Sequence, residues 1–282
     1  MNIRELNRAQ LMSILPDREN NAHKGDFGRI LQLCGSRGYT GAAYLAAMGA
    51  LRCGAGLVFL GVPESIYAIE AVKLNEAIVF PLPDNGGKLS AQAIPEILER
   101  LPRMDAVVIG PGLGQSEDVT AVVAEVLKNA RCPVVLDADG INVMAPHKDI
   151  LRERTGVTVL TPHGGEFSRL GGNLASDRVH EAGAMARELG CIVLLKGHGT
   201  VITDGETAYI NPTGNPGMAV GGSGDVLAGI IGSFLGQKIN PLEAAACGAY
   251  VHGEAGDLCA RDLGQYGMLP TDMLNVLPRL LK

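Results

Sequence analysis

The chain has 282 residues, of which 46% are hydrophobic and 19% charged, a composition that excludes an intrinsically disordered protein. Aromatic residues make up only 4% and tryptophan is absent, so the core must consist mainly of aliphatic side chains. The formal net charge of −6 argues against a general nucleic-acid-binding protein, which needs a basic surface to replace counterions.

Strand and helix patterns alternate along almost the whole chain. Short apolar runs predict strands at 29–34, 57–62, 77–81, 106–109, 134–137, 157–160, 192–196, 200–203 and 208–211. Helical patterns occur at 42–52, 91–101, 119–130, 176–189, 225–235, 242–263 and 271–281. Residues 204–206 between the last two strands predict a hairpin at one edge. This order predicts an α/β fold, with a mainly parallel central sheet flanked by helices on both faces, and we expect a single domain over residues 1–282.

The cysteines and the amino terminus indicate the cellular environment. Charged residues near Met1 oppose a signal peptide, and no uncharged apolar run reaches the roughly 18 residues of a membrane span. The cysteines form no Cys-x-x-Cys pair, so we expect buried, reduced thiols at Cys34, Cys53, Cys132, Cys191, Cys247 and Cys259. We therefore expect a cytoplasmic protein that binds neither nucleic acid nor a membrane.

Several glycine-rich or polar segments follow predicted strands, at the end of a parallel sheet where ligands bind. The clusters at 35–43 and 110–114 do not place Gly-x-Gly-x-x-Gly in register with a helix, and the chain lacks a Walker motif. Asp137 and Asp139 follow the strand at 134–137. They either approach a Mg²⁺–phosphate complex through water or cap the next helix.

Segment 161–167 contains His163 and Glu166, without the spacing or the second histidine of a zinc motif. We predict no metal ligand here; instead, we expect a hydrogen-bonding role, with Glu166 near a helix start. The other five histidines show no ligand spacing either.

Segment 194–205 places Lys196 at the end of a strand and follows it with Gly197 and Gly199. Lys196 and the amides of this turn are suited to a nucleotide phosphate. The alternative is an ordinary glycine turn between two strands.

Segment 211–225 is the strongest indication of a functional site in the sequence, because a glycine-rich stretch leads directly into an apolar helix. Free N–H groups of Gly222, Ser223, Gly224 and Asp225 would form an anion hole at the positive end of that helix. Asp225 alone would be an ordinary helix cap. Beside an anion hole, its carboxylate can remove a proton from a hydroxyl that attacks phosphorus, and at an ordinary pKa of about 3.9 it would be ionised at neutral pH.

Together these segments resemble the ribokinase-like superfamily, whose active sites end in Gly-Gly-Ser/Thr-Gly-Asp before a helix. The motifs at 23–28, 137–142, 160–167 and 211–218 resemble one branch, the ADP-dependent (S)-NAD(P)H-hydrate dehydratases, over almost the whole chain. The resemblance implies the three-layer ribokinase-like fold. It also implies dehydration of the S form of hydrated NADH or NADPH with ADP as co-substrate and Mg²⁺, which releases AMP and phosphate.

The resemblance also implies the ligand contacts. Ala42, Gly112, His163 and Asp225 are expected to contact the hydrated nicotinamide cofactor. Lys196, Gly197, His198, Gly199, Thr200 and Gly224 are expected to hold ADP or AMP. The family implies a homo-oligomer, with a tetramer as one form, and a functional link to an NAD(P)H-hydrate epimerase. We expect no fused epimerase domain, because the first motif begins about two dozen residues into the chain.

The chain departs from its relatives at three positions, with Ser223 and Val220 where threonine is frequent and Gly164 where proline is common. Serine keeps a hydroxyl group, whereas valine removes a polar contact at position 220. The nearest alternative function is an ATP-dependent vitamin or thiazole-alcohol kinase of the same superfamily, which would use the same Asp225 and stop at the phosphoester. A nucleotide-binding protein without catalysis is a second alternative, which the intact Asp225 and its glycines oppose.

Overall fold

The computed structural model describes residues 1–281, which form one ten-stranded sheet and a separate two-stranded hairpin. The strands are β1 (Asn2–Arg4), β2 (Arg29–Leu33), β3 (Leu57–Pro63), β4 (Ile78–Leu82), β5 (Asp84–Asn85), β6 (Lys88–Leu89), β7 (Ala106–Ile109), β8 (Val134–Leu136), β9 (Thr158–Leu160), β10 (Ile192–Leu195), β11 (Val201–Thr203) and β12 (Thr207–Ile210). The large sheet has the order β1-β12-β11-β10-β9-β8-β7-β2-β3-β4. Among its described strands, β11 alone runs antiparallel to its neighbours. The prediction of a mainly parallel sheet is therefore confirmed.

Helices cover both faces of this sheet. They are α1 (Arg8–Ile14), α2 (Thr40–Arg52), α3 (Glu64–Lys73), α4 (Ile94–Arg100), α5 (Glu117–Asn129), α6 (Asp139–Met144), α7 (Lys148–Glu153), α8 (Gly164–Arg169), α9 (Arg178–Leu189), α10 (Ser223–Gly236), α11 (Pro241–Leu263) and α12 (Pro270–Leu280). Several begin at side-chain caps: Ser116, Asp177 and Asn240 accept hydrogen bonds from the first turns of α5, α9 and α11. Such caps satisfy amides that have no partner within the helix.

The two helical layers pack on opposite faces of the same strands. Ile30 and Val108 belong to the apolar cluster under α2, α10, α11 and α12, whereas Leu31 and Val107 belong to the cluster under α4 to α9. Successive side chains of a strand point to opposite faces, so both sides of β2 and β7 are buried. The uninterrupted apolar runs in the sequence arise because these strands have no solvent-facing side.

Helix α10 lies in the centre of its layer and is buried on all sides from Val226 to Gly236. Glycines on α10 and α2 allow close backbone contact. A methyl group at position 229 would lie 2.1 Å from the carbonyl oxygen of Ala46, and one at position 49 would lie 2.6 Å from that of Val226. The prediction of a buried helix is thus confirmed, and these glycines allow α10 to pack directly against α2.

Some elements were absent from the sequence prediction. Strand β1 was missed because its three residues are all exposed and form no apolar run. It pairs with β12, so the predicted hairpin is present but does not form the sheet edge. Helices α1 and α3, the six-residue helices α6, α7 and α8, and the β5–β6 hairpin were also missed, and α10 begins two residues before the predicted position.

The thiols agree with the sequence-based expectation apart from one difference in burial. All six cysteines are free, and all except the half-buried Cys132 are buried. Within residues 1–281, none of the helices combines the length and the apolar composition that a membrane crossing requires.

Candidate active site

The first turn of α10 contains the residues of the predicted anion hole. Gly222, the residue before the helix, has a φ of 97°, in the left-handed region that favours glycine. Among the described residues, the N–H groups of Gly222, Gly224 and Asp225 donate to no other group of the chain, whereas that of Ser223 donates to the carbonyl oxygen of Val220 at 3.3 Å. The sequence predicted four free donors; the structure leaves three, because the Ser223 amide closes the preceding turn.

A buried ion pair lies directly against this turn. The Lys196 Nζ is 2.8 Å from the Oδ1 of Asp137 and 3.9 Å from the Oε2 of Glu166. The hydroxyl of Thr161 donates to the same Asp137 oxygen at 2.7 Å. A methyl group on Gly224 would lie 3.3 Å from the Lys196 Nζ, so the glycine leaves the ammonium group close to the free amides.

Burial and charge act in opposite directions on Lys196. Burial alone would lower the pKa of this ammonium group, but the carboxylates of Asp137, Glu166 and Asp225 raise the pKa above its ordinary value. Lys196 is therefore protonated at neutral pH. It supplies a fixed positive charge beside the amides of α10.

Asp225 is less acidic than an ordinary aspartate. Burial and the neighbouring charge of Asp137 raise its pKa to about 6, with Lys196 acting in the opposite direction. The expectation of a pKa near 3.9 is therefore wrong, because it assumed a fully solvated carboxyl group. A value near 6 leaves Asp225 mostly ionised at neutral pH and makes it a better proton acceptor than an ordinary aspartate.

His163 and Glu166 form the start of helix α8. The His163 Nδ1 accepts hydrogen bonds from the amides of Gly165 and Glu166, and the Glu166 Oε2 accepts one from the His163 amide at 2.8 Å. The His163 Nε2 lies 3.3 Å from the other Glu166 oxygen. Because Nδ1 accepts, the proton of the neutral ring is on Nε2. This arrangement confirms the predicted hydrogen-bonding role of Glu166 near a helix start.

Ala42, in the first turn of α2, and Gly112, in the loop after β7, are neighbours. Gly112 has a φ of 63°, and a methyl group at this position would lie 2.7 Å from the Cβ of Ala42. The hydroxyl of Ser36 donates to the Gly112 carbonyl at 2.7 Å. Two segments that are 70 residues apart in the chain thus form one surface, on which only glycine fits at position 112.

The loop after β10 carries the residues predicted to hold a nucleotide. Its turn is closed by the Thr200 hydroxyl, which donates to the Gly197 carbonyl at 2.8 Å. The Arg178 guanidinium donates to the carbonyls of Leu195 at 3.0 Å and Lys196 at 3.2 Å. His198 is exposed at the tip of the loop. Lys196 therefore joins this loop to the first turn of α10, whereas His198, Gly199 and Thr200 extend away from the ion pair.

Asp137 and Asp139, for which two roles were open, have different environments. Asp137 is buried and pairs with Lys196, so it does not cap the next helix with its side chain. Asp139 accepts hydrogen bonds from the Gly114 amide at 2.8 Å and the Gln115 side chain at 3.2 Å. It thereby fixes the glycine loop after β7.

Three residues of this region were missed by sequence reasoning. Arg178 holds the loop after β10, His252 lies 3.3 Å from the Ser223 hydroxyl through its Nε2, and Asp257 binds residues of the segment before α10. His252 was considered only as a metal ligand. No local pattern indicates these contacts, since each joins residues that are 17 or more positions apart.

A family model described as NAD(P)H-hydrate dehydratase matches residues 30–279. The chain belongs to this family. The matched residues include the glycine-rich start of α10 and the segments after β7, β8 and β9.

Curated relatives extend over the full length of the chain. It is 47% identical over 288 residues to the bifunctional NAD(P)H-hydrate repair enzyme Nnr of Moorella thermoacetica, with 100% of this chain and 54% of the relative covered. It is 39% identical to the Nnr of Escherichia coli, with 99% and 52% covered. The chain thus spans about half the length of the curated relatives that it matches.

Solved structures confirm the ribokinase-like fold. An ADP/ATP-dependent NAD(P)H-hydrate dehydratase from Bacillus subtilis, co-crystallised with ATP and Mg²⁺, has a TM-score of 0.85 and 32% identity, with 99% of this chain and 98% of that chain covered. A ribokinase-like superfamily protein from Enterococcus faecalis has a TM-score of 0.87 and 28% identity, with 99% and 95% covered. A hydroxyethylthiazole kinase from Pyrococcus horikoshii shares the fold at a TM-score of 0.63 and 19% identity, with 89% and 87% covered.

Proposed function

We propose that the protein dehydrates the S form of hydrated NADH or NADPH to NADH or NADPH and consumes ADP in the reaction. Family membership supports this proposal, and so does the B. subtilis relative, which is described as an ADP/ATP-dependent NAD(P)H-hydrate dehydratase. The observation that carries it is the first turn of α10, where Asp225 has a pKa raised to about 6 beside three free amides. A base and an anion hole at one helix start are what phosphoryl transfer to a hydroxyl requires.

In the first step, Asp225 takes the proton of the ring hydroxyl. The hydroxyl oxygen forms a bond to the terminal phosphorus of ADP. The bond from that phosphorus to the bridging oxygen breaks, and its electron pair leaves with AMP. The free amides of Gly222, Gly224 and Asp225 donate to the oxygens of the transferred group, and such donors contribute about 10²–10³ in rate each where this has been measured.

In the second step, the phosphorylated hydroxyl leaves. The bond between the ring carbon and oxygen breaks, with its electron pair on phosphate, and the lone pair of the ring nitrogen stabilises the resulting cation. The adjacent ring carbon loses a proton, and the electrons of that bond rebuild the ring double bond. The net reaction removes water from the hydrated cofactor and hydrolyses ADP to AMP and phosphate.

The proposed ligand contacts divide between the two sides of the ion pair. Ala42 in the first turn of α2, together with Gly112 and His163 after β7 and β9, would contact the hydrated cofactor. The loop residues Lys196, Gly197, His198, Gly199 and Thr200 would hold ADP together with Gly224. The contact between Lys196 and the α10 turn supports this division, because the charge lies where the two ligands would meet.

The residues fit a magnesium ion held mainly by phosphate and water. Among residues 1–281, no three side chains of His, Cys, Asp or Glu form a cage for a metal ion. The Oδ1 of Asp137 is engaged by Lys196 and Thr161, and both oxygens of Asp139 are engaged by the loop after β7. Asp137 and Asp225 would contact the hydration shell of the ion, which is usual for Mg²⁺ on nucleotides. When bound, Mg²⁺ would neutralise phosphate charge.

We also propose a homo-oligomer and a functional link to an NAD(P)H-hydrate epimerase. The bifunctional name of the curated relatives supports the link, since about half of each relative lies outside the match. The epimerase would convert the R form of the hydrate, which this site does not accept, into the S form. Size-exclusion chromatography with light scattering would give the number of subunits.

The proposed activity is tested with purified protein and hydrated NADH. We expect the near-ultraviolet absorbance of NADH to return only when ADP (or ATP) and Mg²⁺ are present, with equal amounts of NADH and AMP formed with ADP. Asp225→Asn should retain ADP binding but lose turnover by about 10²–10⁴ because the general base is removed. Asp149→Asn, at an exposed position on α7, is the matched control and should be unchanged.

The same assay separates the alternatives. Phosphorylation of a simple alcohol by ATP, without recovery of NADH, would establish the kinase instead. Nucleotide binding without either reaction would identify a binding protein. Unchanged turnover in Asp225→Asn would remove Asp225 from the role of base.

A further inference from the structure

The segment at 211–222, here called the strap, connects β12 to the first turn of α10 and lies along helix α11. Its first part is fixed by two bonds to backbone carbonyls of α11. The Asn211 side chain donates to the Ala249 carbonyl at 3.1 Å, and the Thr213 hydroxyl donates to that of Tyr250 at 2.9 Å. The strap is thus attached at its beginning to a long helix that extends across the layer.

Two glycines of α11 leave room for the strap. A methyl group at position 253 would lie 2.2 Å from the Thr213 hydroxyl oxygen, and one at position 256 would lie 2.3 Å from the sulfur of Met218. These positions share one face of α11 with Ala249, because they lie four and seven residues further along the helix. This face is therefore a groove that the strap fills.

Asp257 lies at the end of the same face and binds the middle of the strap. Its Oδ2 accepts from the Gly214 amide and its Oδ1 from the Asn215 side chain, both at 2.9 Å. The Asn215 oxygen is already used by the Gly217 amide at 3.0 Å, where it caps the short turn Pro216–Met218. Asn215 therefore cannot turn its amide group around without losing that cap.

His252 completes the set at the far end of the strap. Its Nε2 lies 3.3 Å from the Ser223 hydroxyl, and the histidine ring is buried. Ser223 is the first residue of α10, between the free amides of Gly222 and Gly224. Burial lowers the pKa of His252 to about 4, so the ring is neutral at physiological pH and places no added positive charge behind the site.

We propose that Asp257 and His252 are positioning residues: Asp257 holds the strap on α11 and His252 holds Ser223, so that the amides at the start of α10 face the transferred phosphate. Neither side chain touches the proposed reacting atoms; Asp257 acts through the strap and His252 through Ser223. This inference rests on the proposed function, since it assigns those amides to the phosphate of ADP. It also gives the motif at 211–218 a structural role, the positioning of the first turn of α10, which the sequence of the motif alone does not indicate.

The test is the variant Asp257→Asn. The substitution keeps the shape of the side chain, but it places an N–H group opposite either the Gly214 amide or the Asn215 side chain, both of which are themselves donors. The loss of a hydrogen bond to a charged group should lower kcat and weaken binding of Mg²⁺–ADP by about 10- to 100-fold. The matched control is Asp262→Asn, an exposed position on the same helix whose side chain makes no hydrogen bond among residues 1–281; it should leave both values unchanged. Thermal unfolding of all variants shows whether the fold persists.

A double-mutant cycle separates positioning from general destabilisation. Asp257→Asn and Asn215→Ala remove the same contact, so their combined effect on kcat should be smaller than the product of the two single effects. The combined effect of His252→Asn and Ser223→Ala on kcat should likewise be smaller than the product of their single effects. Full additivity in both pairs, or wild-type kcat and ADP affinity in Asp257→Asn, would overturn the proposal.

Titration with Mg²⁺–ADP keeps the two proposals distinguishable. If the wild-type protein binds ADP but does not restore NADH, the proposed dehydration fails, and a weaker ADP affinity in Asp257→Asn still supports the strap. If the wild type dehydrates and the variant equals it, the dehydration stands and the strap proposal fails. A wild-type protein that binds no ADP contradicts both.

Discussion

Asp225 illustrates how the environment of one residue changes its chemistry. An isolated aspartate before a helix is most simply a cap, but its pKa is here raised to about 6 by burial and by Asp137. Lys196 limits this rise because its ammonium group favours the ionised carboxylate. The proton affinity of the proposed base thus results from burial, together with two charged neighbours that follow different strands.

The first prediction concerns the pH dependence of the proposed reaction. Asp225 must be ionised to accept a proton, so kcat/KM should be constant at neutral pH and fall by about tenfold per pH unit below about pH 6. Lys196→Met should move this break to higher pH, because the charge that lowers the Asp225 pKa is removed. A profile that stays flat down to pH 4.5 would contradict the assignment of Asp225 as the base.

The second prediction concerns the ion pair between Lys196 and Asp137, which lie 2.8 Å apart. Lys196→Met alone should lower the free energy of unfolding by about 3–5 kcal/mol, because it leaves a buried carboxylate without its partner. The double variant Lys196→Met, Asp137→Leu should recover much of that loss in stability. Urea unfolding measures both, and a double variant less stable than Lys196→Met would show that the pair is not coupled.

At the scale of elements, the contact between α2 and α10 helps to determine where the proposed anion hole lies. The backbones approach closely because Gly49 and Gly229 have no side chain at the contact. Helix α10 is buried on all sides from Val226 onward, which limits how far its half-buried first turn can shift. The position of this turn is therefore a consequence of helix packing as well as of the strap.

The third prediction tests this contact with two glycine substitutions. Gly229→Ala places a methyl group 2.1 Å from the Ala46 carbonyl oxygen and should reduce the free energy of unfolding by about 1–3 kcal/mol. Gly41→Ala, also in this helix pair, meets nothing within 4 Å and should stabilise the protein by up to about 1 kcal/mol. Equal stabilities of the two variants, measured by urea unfolding, would show that the helices can separate without cost.

At the scale of the whole molecule, one sheet serves as the common base of both helical layers. Strands β2 and β7 contribute alternate side chains to the two apolar clusters. If either helical layer were lost, the face of these strands that it covers would be exposed to water. The other layer packs on the opposite face of the same strands, so it would be destabilised as well. The expected single domain over residues 1–282 remains a prediction, and this shared sheet provides a way to test it.

The fourth prediction is that both layers unfold together. Leu127→Ala in α5 and Ile230→Val in α10, both buried, lie in different apolar clusters. Each should lower the midpoint of the same unfolding transition, with the free energy of unfolding reduced by about 2–5 and 0.5–1.5 kcal/mol respectively. Two transitions in circular dichroism, with each variant affecting only one, would show that the layers are separate folding units.

Much of the architecture followed from local sequence patterns. The strands of the parallel sheet and the helices α2, α5, α9, α10 and α11 were predicted at nearly their observed positions, because apolar periodicity is a property of neighbouring residues. Elements of three to six residues, such as β1 and α6 to α8, were missed since they are too short to show a period. Their formation depends on partners elsewhere in the chain.

The glycine-rich segment before Asp225 and the buried helix after it were determined by the sequence, and with them the prediction of a phosphate site at a helix start. Tertiary structure alone decided how that site is charged and held. Lys196 meets Asp137 across 59 positions of the chain, and Asp257 binds Gly214 across 43. Helix starts depend on residues within a turn, whereas desolvation, ion pairing and the docking of the strap depend on atoms that only folding brings together.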